Sequence, residues 1–462
     1  MSCFKAYDIR GRLGEELNET IAERIGYALV KLHHAKRVVL GCDVRPTSRG
    51  LLLALARGMN HAGAEVVDLG LTGSEEVYFA SQVLDVDLGV EVTASHNPIE
   101  YNGMKCVRRG GIAMGYETGL SDVEAMIQSF ELPSLSDARM MAHDITNQYI
   151  DHLMTYVKAH QWKPMRILVN AGHGAAGHVI DAIEQRFRDM AVPVTFIKIH
   201  HEPDGSFPVG IPNPMIPKNR EITADAVKQY QADIGIAWDG DFDRCFIFDH
   251  EGLMVEGHYM VALLAQAFLM QKTGATIVYD PRLIWSTERV LKTFNGHGMM
   301  HQSGHSFIKS CMRKHDALFG GESSAHYYFK AFGYCDSGMI PWLMVVDLLQ
   351  HHQVTLQDIV SQDRYLFPCS GELNYRLNNA QEAMNAIDIA FSKKAKTKNT
   401  IDGLSFDLGS WRFNVRQSNT EPLLRLNIES QANTQLVQDA RAQIESILEP
   451  FLLVTKGVDE TP

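Results

Sequence analysis

No stretch of this sequence is apolar for long enough to cross a bilayer. The most apolar helical stretch, Tyr259 to Met270, is broken by Gln266, and at about 12 residues it falls well short of a spanning helix and reads as a buried one. Positive charge is also in deficit: 43 Lys and Arg stand against 55 Asp and Glu, a formal net charge of −12. That balance argues against general nucleic-acid or anionic-membrane binding, because both need a basic face. An anionic small molecule can still bind where basic residues gather locally. Cysteine is sparse, with seven residues scattered at 3, 42, 106, 245, 311, 335 and 369 and no C-x-x-C pair. Neither a disulfide frame nor a zinc site is indicated, and a reducing compartment fits. The segment Met1 to Arg12 is polar and charged, unlike a signal peptide. A cytoplasmic location is expected.

What is present is an ordinary well-packed composition, 45% apolar and 21% charged over 462 residues, too long for one core and suited to about three or four domains. Strand-like and helix-like segments alternate, the pattern of α/β domains with largely parallel sheets. RVVLGCD (37–43), VVDLG (66–70) and LGVEVTAS (88–95) read as strands, with a helix over 51–62. After a polar segment near 131–145 the pattern restarts with MRILVNAG (165–172), a helix near 176–188, VTFIKIH (194–200) and IGIAWDGD (234–241). A third cycle holds helices near 257–271 and 284–294 and the strands TIVYD (276–280) and ALFGG (317–321). GELNYRL, WRFNVRQ and LLRLNIE alternate apolar and polar, which predicts strands with one exposed face. Helices are expected beside them near 380–395 and 432–447. Three related α/β units and a smaller α+β unit result.

Each unit ends a strand in a polar or Gly-rich loop, and open α/β sheets bind ligands at the carboxyl ends of their strands. The four loops are therefore expected to face one cleft. In TASHNP (93–98), Ser95 is a candidate nucleophile, although Ser, Asn and Pro equally build a turn or a helix cap. DGDFDR (239–244) sets Asp239, Asp241 and Asp243 at alternate positions between apolar runs, where their repulsion calls for a counter-charge such as a hard divalent cation. Arg244 can hold a substrate oxygen or simply pair with a carboxylate. GGESSAH (320–326) offers Glu322 and Ser324 for sugar hydroxyls and His326 for proton transfer, but an ordinary polar turn explains it as well. Gly304-His305-Ser306 also reads as a helix start. Arg416 and Arg425, with Ser418, Asn419 and Thr420 in the turn between them, suit a phosphate dianion or an exposed arginine pair on a hairpin.

Taken together and in this order, TASHNP, DGDFDR, GESSAH and RQSNTEP, with FKAYDIRG at 4–11, closely resemble the α-D-phosphohexomutase family over nearly the whole chain. AHYYFKAFGYCDSGMIPWL (325–343) and YDPR (279–282) look most like its bacterial phosphomannomutase branch, which feeds GDP-mannose into lipopolysaccharide or capsule. Ser323 departs from the methionine usual there. The resemblance implies three similar mixed α/β sandwich domains over 1–142, 143–249 and 250–362. A C-terminal α+β domain (TBP-like) over 363–462 would complete them around a central cleft. It implies interconversion of mannose 6-phosphate and mannose 1-phosphate through phospho-Ser95 and a hexose 1,6-bisphosphate, or the same chemistry on glucose phosphates. A phosphatase using Asp239 is a rival of another class, weakened because Asp243 stands where such enzymes have Thr or Val; a non-catalytic sugar-phosphate binder is another. Mg²⁺ would be held by Asp239, Asp241, Asp243 and an oxygen on Ser95. Tyr7, Arg10, His96 and Lys105 match positions around the reacting atoms, and Lys105 or His326 would move the proton. Glu322 and Ser324 would bind the sugar, and Arg416, Ser418, Asn419, Thr420 and Arg425 the second phosphate, with Arg282 and His305 assisting. The partners implied are hexose phosphates alone, for a monomer or dimer.

Overall fold

Uninterrupted Val, Ile and Leu runs form strands buried on both faces, as parallel sheets between helices require. In the computed structural model, residues 2–128, 137–417 and 423–453 are described. The chain divides into two compact units, Met1–Met254 with His326–Gln353 and Val255–Ala325 with Val354–Pro462.

The first unit opens with a sheet ordered Ile9–Arg12, Tyr101–Arg108, Leu88–Val92, Arg37–Cys42, Glu65–Leu71 and Met141–Ala142. The strand at 37–42 runs parallel to both 65–71 and 88–92, while 101–108 pairs antiparallel with 88–92 and 9–12. Helices Glu19–His33 and Ser48–His61 cross at two glycines. A Cβ at Gly26 would stand 2.1 Å from the Leu55 carbonyl oxygen, and one at Gly58 would stand 1.8 Å from that of Glu23. The contact therefore requires the missing side chains. A second sheet follows in the order Cys245–Phe248, Ile234–Trp238, Met165–Asn170 and Val194–Ile199, with only 245–248 antiparallel to its neighbour. Tyr327–Phe329 and Cys335–Asp336 add an antiparallel pair.

In the second unit Thr276–Tyr279 lies parallel between His297–Met300 and Phe319–Gly321. The helix Gly257–Gln271, expected to be buried, has nine of its side chains in the interior. Downstream, five antiparallel strands take the order Cys369–Arg376, Leu423–Ser430, Trp411–Gln417, Leu404–Asp407 and Thr397–Asn399. Helices Ala380–Phe391 and Thr434–Leu448 cover the apolar side with Ile387, Phe391 and Ile444 against Phe413, Leu424 and Ile428.

One expectation holds only in part. Asn374, Arg376 and Gln417 are exposed as the alternation predicts, but Arg412, Asn414, Asn427 and Glu429 on the two central strands are all buried. Arg412 pairs with Glu429 at 2.7 Å and also donates to the carbonyl oxygens of Pro281 and Arg282, each at 2.7 Å. Glu429 in turn accepts from the Ile284 and Trp285 amides at 2.7 and 3.3 Å. The second face is thus closed by polar pairing rather than by water. Alternation alone cannot distinguish the two.

Candidate active site

Ser95 follows the strand Leu88–Val92 and sits at φ +49°, a left-handed conformation that is uncommon outside glycine and tends to mark functional loops. The surrounding bonds over-determine it. The Ser95 amide donates to Thr93 Oγ1 at 2.8 Å, and Thr93 Oγ1 donates to Asp43 Oδ2 at 2.7 Å. Asp43 also accepts from Ser48 Oγ at 2.5 Å and the Arg45 amide at 3.0 Å. The Arg45 guanidinium, 2% exposed, donates to four carbonyl oxygens of the loop: Ser95 at 2.9 Å, Asn97 at 2.5 Å, Pro98 at 2.9 Å and Tyr101 at 3.0 Å. Arg10 adds a bond to Asn97 Oδ1 at 2.6 Å and pairs with Asp8 at 2.5 Å. Tyr7 lies half-buried in the bend just before the strand Ile9–Arg12.

The acidic loop joins two antiparallel strands, Ile234–Trp238 and Cys245–Phe248, and meets the serine loop within the first unit. Ser95 Oγ donates to Asp239 Oδ2 at 2.8 Å, and a Cβ on Gly240 would stand 2.6 Å from the Ser95 carbonyl oxygen. Asp239, Asp241 and Asp243 are all buried and bring one oxygen each within 4.8 Å of the others. Lys105 Nζ bonds Asp241 Oδ2 at 2.6 Å and Asp243 Oδ2 at 2.5 Å. Arg244 bonds Asp239 Oδ2 through Nε at 2.9 Å and Nη2 at 2.7 Å, and Ser74 Oγ donates to Asp241 Oδ2 at 2.6 Å. Two buried oxygens, Asp241 Oδ1 and Asp243 Oδ1, accept no hydrogen bond. Buried carboxylate oxygens of this kind are costly unless something binds them, and three hard oxygen donors with two unfilled suit a divalent cation such as Mg²⁺. The donor set fits the group.

Charge in this cluster is tightly coupled. Burial disfavours ionisation of Asp239, yet the neighbouring Arg244 holds its carboxyl below the usual range. Burial and the charges of Asp241 and Asp239 push Asp243 up, against the pull of Lys105. Burial opposes the Lys105 ammonium, but Asp241 and Asp243 raise its pKa above the ordinary value. His96 Nδ1 lies 3.0 Å from Ser95 Oγ and contacts Arg244 Nη2. Burial and that guanidinium push the His96 imidazole down to about 4, so it is neutral beside the serine. His326, whose Nδ1 lies 3.1 Å from Asp336 Oδ2, also falls within reach of Asp243. Burial works against its charge, while Asp243 and Asp336 raise its pKa.

The remaining predicted residues belong to the second unit. Arg282 is buried and donates to Asp280 Oδ2 at 2.7 Å, to Ser324 Oγ at 3.3 Å and to Glu322 Oε2 at 3.5 Å. Glu322 Oε2 also accepts from the Gly304 amide at 3.0 Å, and His305 opens the helix His305–His315. Ser323 is tied to Asp280 by its amide at 2.6 Å and its hydroxyl at 3.3 Å. Arg416 and Arg425 face each other across paired strands. Ser418, Asn419 and Thr420 lie outside the described residues. The loop read as one motif, 320–326, is divided, with Glu322 and Ser324 in the second unit and His326 in the first.

Sequence reading missed Asp43 and Arg45, which hold the serine loop, and Glu372, whose carboxylate pairs with Arg416 at 3.0 Å. The signal for the first pair, D-x-R after a buried strand in GCDVRP, is a loop of the same kind as the others.

The chain matches, in order, four descriptions from one family, phosphoglucomutase/phosphomannomutase. They are alpha/beta/alpha domain I over 1–132, domain II over 147–252, domain III over 256–365 and the C-terminal domain over 372–447. It is 51% identical over 452 residues to a phosphomannomutase of Escherichia coli, covering 97% of this chain and 99% of that one. A phosphomannomutase of Vibrio cholerae serotype O1 is 48% identical, covering 97% and 98%. Among solved structures, a phosphoglucomutase/phosphomannomutase family protein from Burkholderia thailandensis is similar at a TM-score of 0.85 and 28% identity, with 98% of each chain covered.

Proposed function

The chain belongs to the phosphoglucomutase/phosphomannomutase family, and from that premise we propose that it is a phosphomannomutase, an isomerase interconverting mannose 6-phosphate and mannose 1-phosphate. The near-full-length likeness to two phosphomannomutases supports the sugar. The four matched stretches also support domain divisions near 142, 249 and 362. The observation that carries the chemistry is the buried Ser95 hydroxyl, held at positive φ and bonded to Asp239.

Ser95 carries the transferable phosphoryl group. A free hydroxyl of the sugar phosphate attacks that phosphorus, the P–O bond to Ser95 breaks, a P–O bond to the sugar forms, and a hexose 1,6-bisphosphate results. The bisphosphate turns round and Ser95 takes back its other phosphate. Asp239, Asp241 and Asp243 would hold Mg²⁺, which supplies neutralisation of the charge on the transferring group. Arg45 and Asp43 fix the serine loop, so the nucleophilic oxygen keeps one position through both transfers. Arg10 and Arg244 supply positive charge to the phosphoryl oxygens. The proton of that hydroxyl is moved by Lys105 or His326, both of which are set beside Asp243 and can accept it only in their neutral forms. Arg416, Ser418, Asn419, Thr420 and Arg425 bind the phosphate that is not transferring, with Arg282 and His305 assisting; Glu322 and Ser324 bind sugar hydroxyls, and Tyr7 and His96 line the reaction centre.

Ranking kcat/KM for mannose 1-phosphate and glucose 1-phosphate tests the substrate, and a glucose preference overturns it. Intact-mass spectra of the purified enzyme before and after sugar-phosphate treatment test the phosphoserine. If Ser95→Ala keeps its turnover, the mechanism is wrong.

A further inference from the structure

Arg416 and Arg425 are paired with a residue to which the mechanism above gives no part, and which also lies near Arg282. Glu372 Oε2 accepts from Arg416 Nη2 at 3.0 Å and lies 3.9 Å from Arg282 Nη1, while Oε1 lies 3.6 Å from Arg425 Nη1. Its backbone is shaped to make that reach. The register of Cys369–Arg376 against Leu423–Ser430 slips between Cys369 and Glu372, and Gly371 sits at φ +68°, a conformation that favours glycine. Asn427 Nδ2 bonds the Gly371 carbonyl at 3.0 Å, and the Ile428 amide bonds Ser370 Oγ at 2.9 Å, so the bulge is pinned on both sides. Bulges of this sort re-aim a side chain.

The need for such a residue is electrostatic. Arg416 and Arg425 stand directly opposite one another on antiparallel strands, an arrangement that is unfavourable for like charges. A ligand-free site therefore requires an internal anion. A carboxylate and a phosphate dianion are both pure acceptors, and they compete for the same guanidinium N–H groups.

We propose that Glu372 is an internal competitor for the substrate's phosphate. It neutralises Arg416 and Arg425 when no ligand is bound and opposes the phosphate once one is, so that the bisphosphate is let go and can turn round. This rests on the reading that Arg416 and Arg425 hold the non-transferring phosphate. Glu372 is a positioning residue, acting through the arginines.

The test titrates inorganic phosphate calorimetrically into the parent enzyme and into E372Q, E372D and R416Q, with kcat and KM for mannose 1-phosphate measured on each. E372Q keeps an acceptor without its charge, and phosphate binds it roughly tenfold more tightly, with KM and kcat both reduced. E372D, whose charge is drawn back by one methylene, tightens by less. A phosphate affinity unchanged or weakened in E372Q, or a raised KM at constant kcat, overturns the proposal. Should E372Q not fold, E372D decides, and the absence of any tightening overturns it. Phosphate affinity lost in R416Q but not raised in E372Q ends this proposal alone. Affinity unchanged in R416Q ends the phosphate-site reading with it.

Discussion

In the first unit three buried aspartates, at 239, 241 and 243, crowd around two cations, Lys105 and Arg244. In the second unit two facing arginines, at 416 and 425, are both reached by the carboxylate of Glu372, which also lies 3.9 Å from an Arg282 already paired with Asp280. The two clusters are electrostatic opposites built to the same rule. A buried like-charge group persists only with internal counter-ions, and a ligand of matching sign then replaces or joins those partners. They differ in what is left over. Two aspartate oxygens accept no hydrogen bond, which leaves room for a cation to be added. The arginine cluster instead has its anion already seated, so an incoming phosphate must displace it. The first cluster is therefore set for chemistry and the second for reversible grip, and variants of the two should separate in kcat and KM.

The largest effect is expected at the nucleophile. Ser95→Ala should lower kcat by roughly 10⁴-fold or more, and Asp241→Asn should also act mainly on kcat and change the Mg²⁺ requirement. Steady-state assays across Mg²⁺ concentrations check both. A rise in KM with kcat intact would erase the contrast between the clusters.

Next in size is a stability effect confined to the second unit. Arg412→Met leaves Glu429 buried without its cation, and the expected cost is about 3–5 kcal/mol. The double variant with Glu429→Leu should recover much of that loss, because an apolar pair replaces the ionic one. Urea midpoints of the two variants decide it, and equal midpoints would show that the ion pair carries little. On the activity side, Arg416→Gln should raise KM roughly 10- to 100-fold through lost charge-assisted bonds, with a much smaller change in kcat and an unaltered Mg²⁺ requirement.

The chemistry of both clusters was legible in the sequence to different degrees. The aspartates sit at alternate positions in one hexapeptide, so local pattern sufficed to single them out, whereas Ser95, in the loop after an apolar strand, was marked by local pattern only as a candidate and was singled out by the order of all four loops. Their partners were not legible in the same way. Lys105 reaches Asp241 from a strand that hydrophobic pattern did not reveal, because YNGMKCVR has no clean alternation and its burial depends on neighbours on both sides. Arg45 acts on loop carbonyls some fifty residues away, and Glu372 depends on a bulge that is invisible in composition. The buried polar face at 411–429 has the same origin. Local sequence encodes which residues alternate, while only the packed chain decides whether water or Glu429 and Pro281 meets them.

The smallest effects concern pH, where the two units should differ in sign at one histidine each. In the second unit, His258 is buried at 3% exposure, and burial pushes it down to about 3 although Asp280 pulls the other way. Below the unfolded histidine value of ~6.5 the unfolded chain binds a proton that the folded one refuses, so stability falls as pH falls, by about 2 kcal/mol at pH 5. His258→Phe should remove that loss. In the first unit, His178 Nε2 bonds Glu76 Oε1 at 2.9 Å and Oε2 at 3.0 Å. Burial opposes its charge, but Glu76 raises its pKa. There the folded state keeps the proton longer. The contribution is fully present below ~6.5 and is lost as pH rises through the raised value. Glu76 Oε2 also accepts from the Gly73 amide at 2.9 Å, next to the Ser74 that bonds Asp241, so this loss loosens a support of the acidic loop. Urea midpoints from pH 6 to 9 for the parent and His178→Gln measure it. Parallel curves for the two proteins would show that the histidine stays neutral and that Glu76 is held by its backbone bond alone.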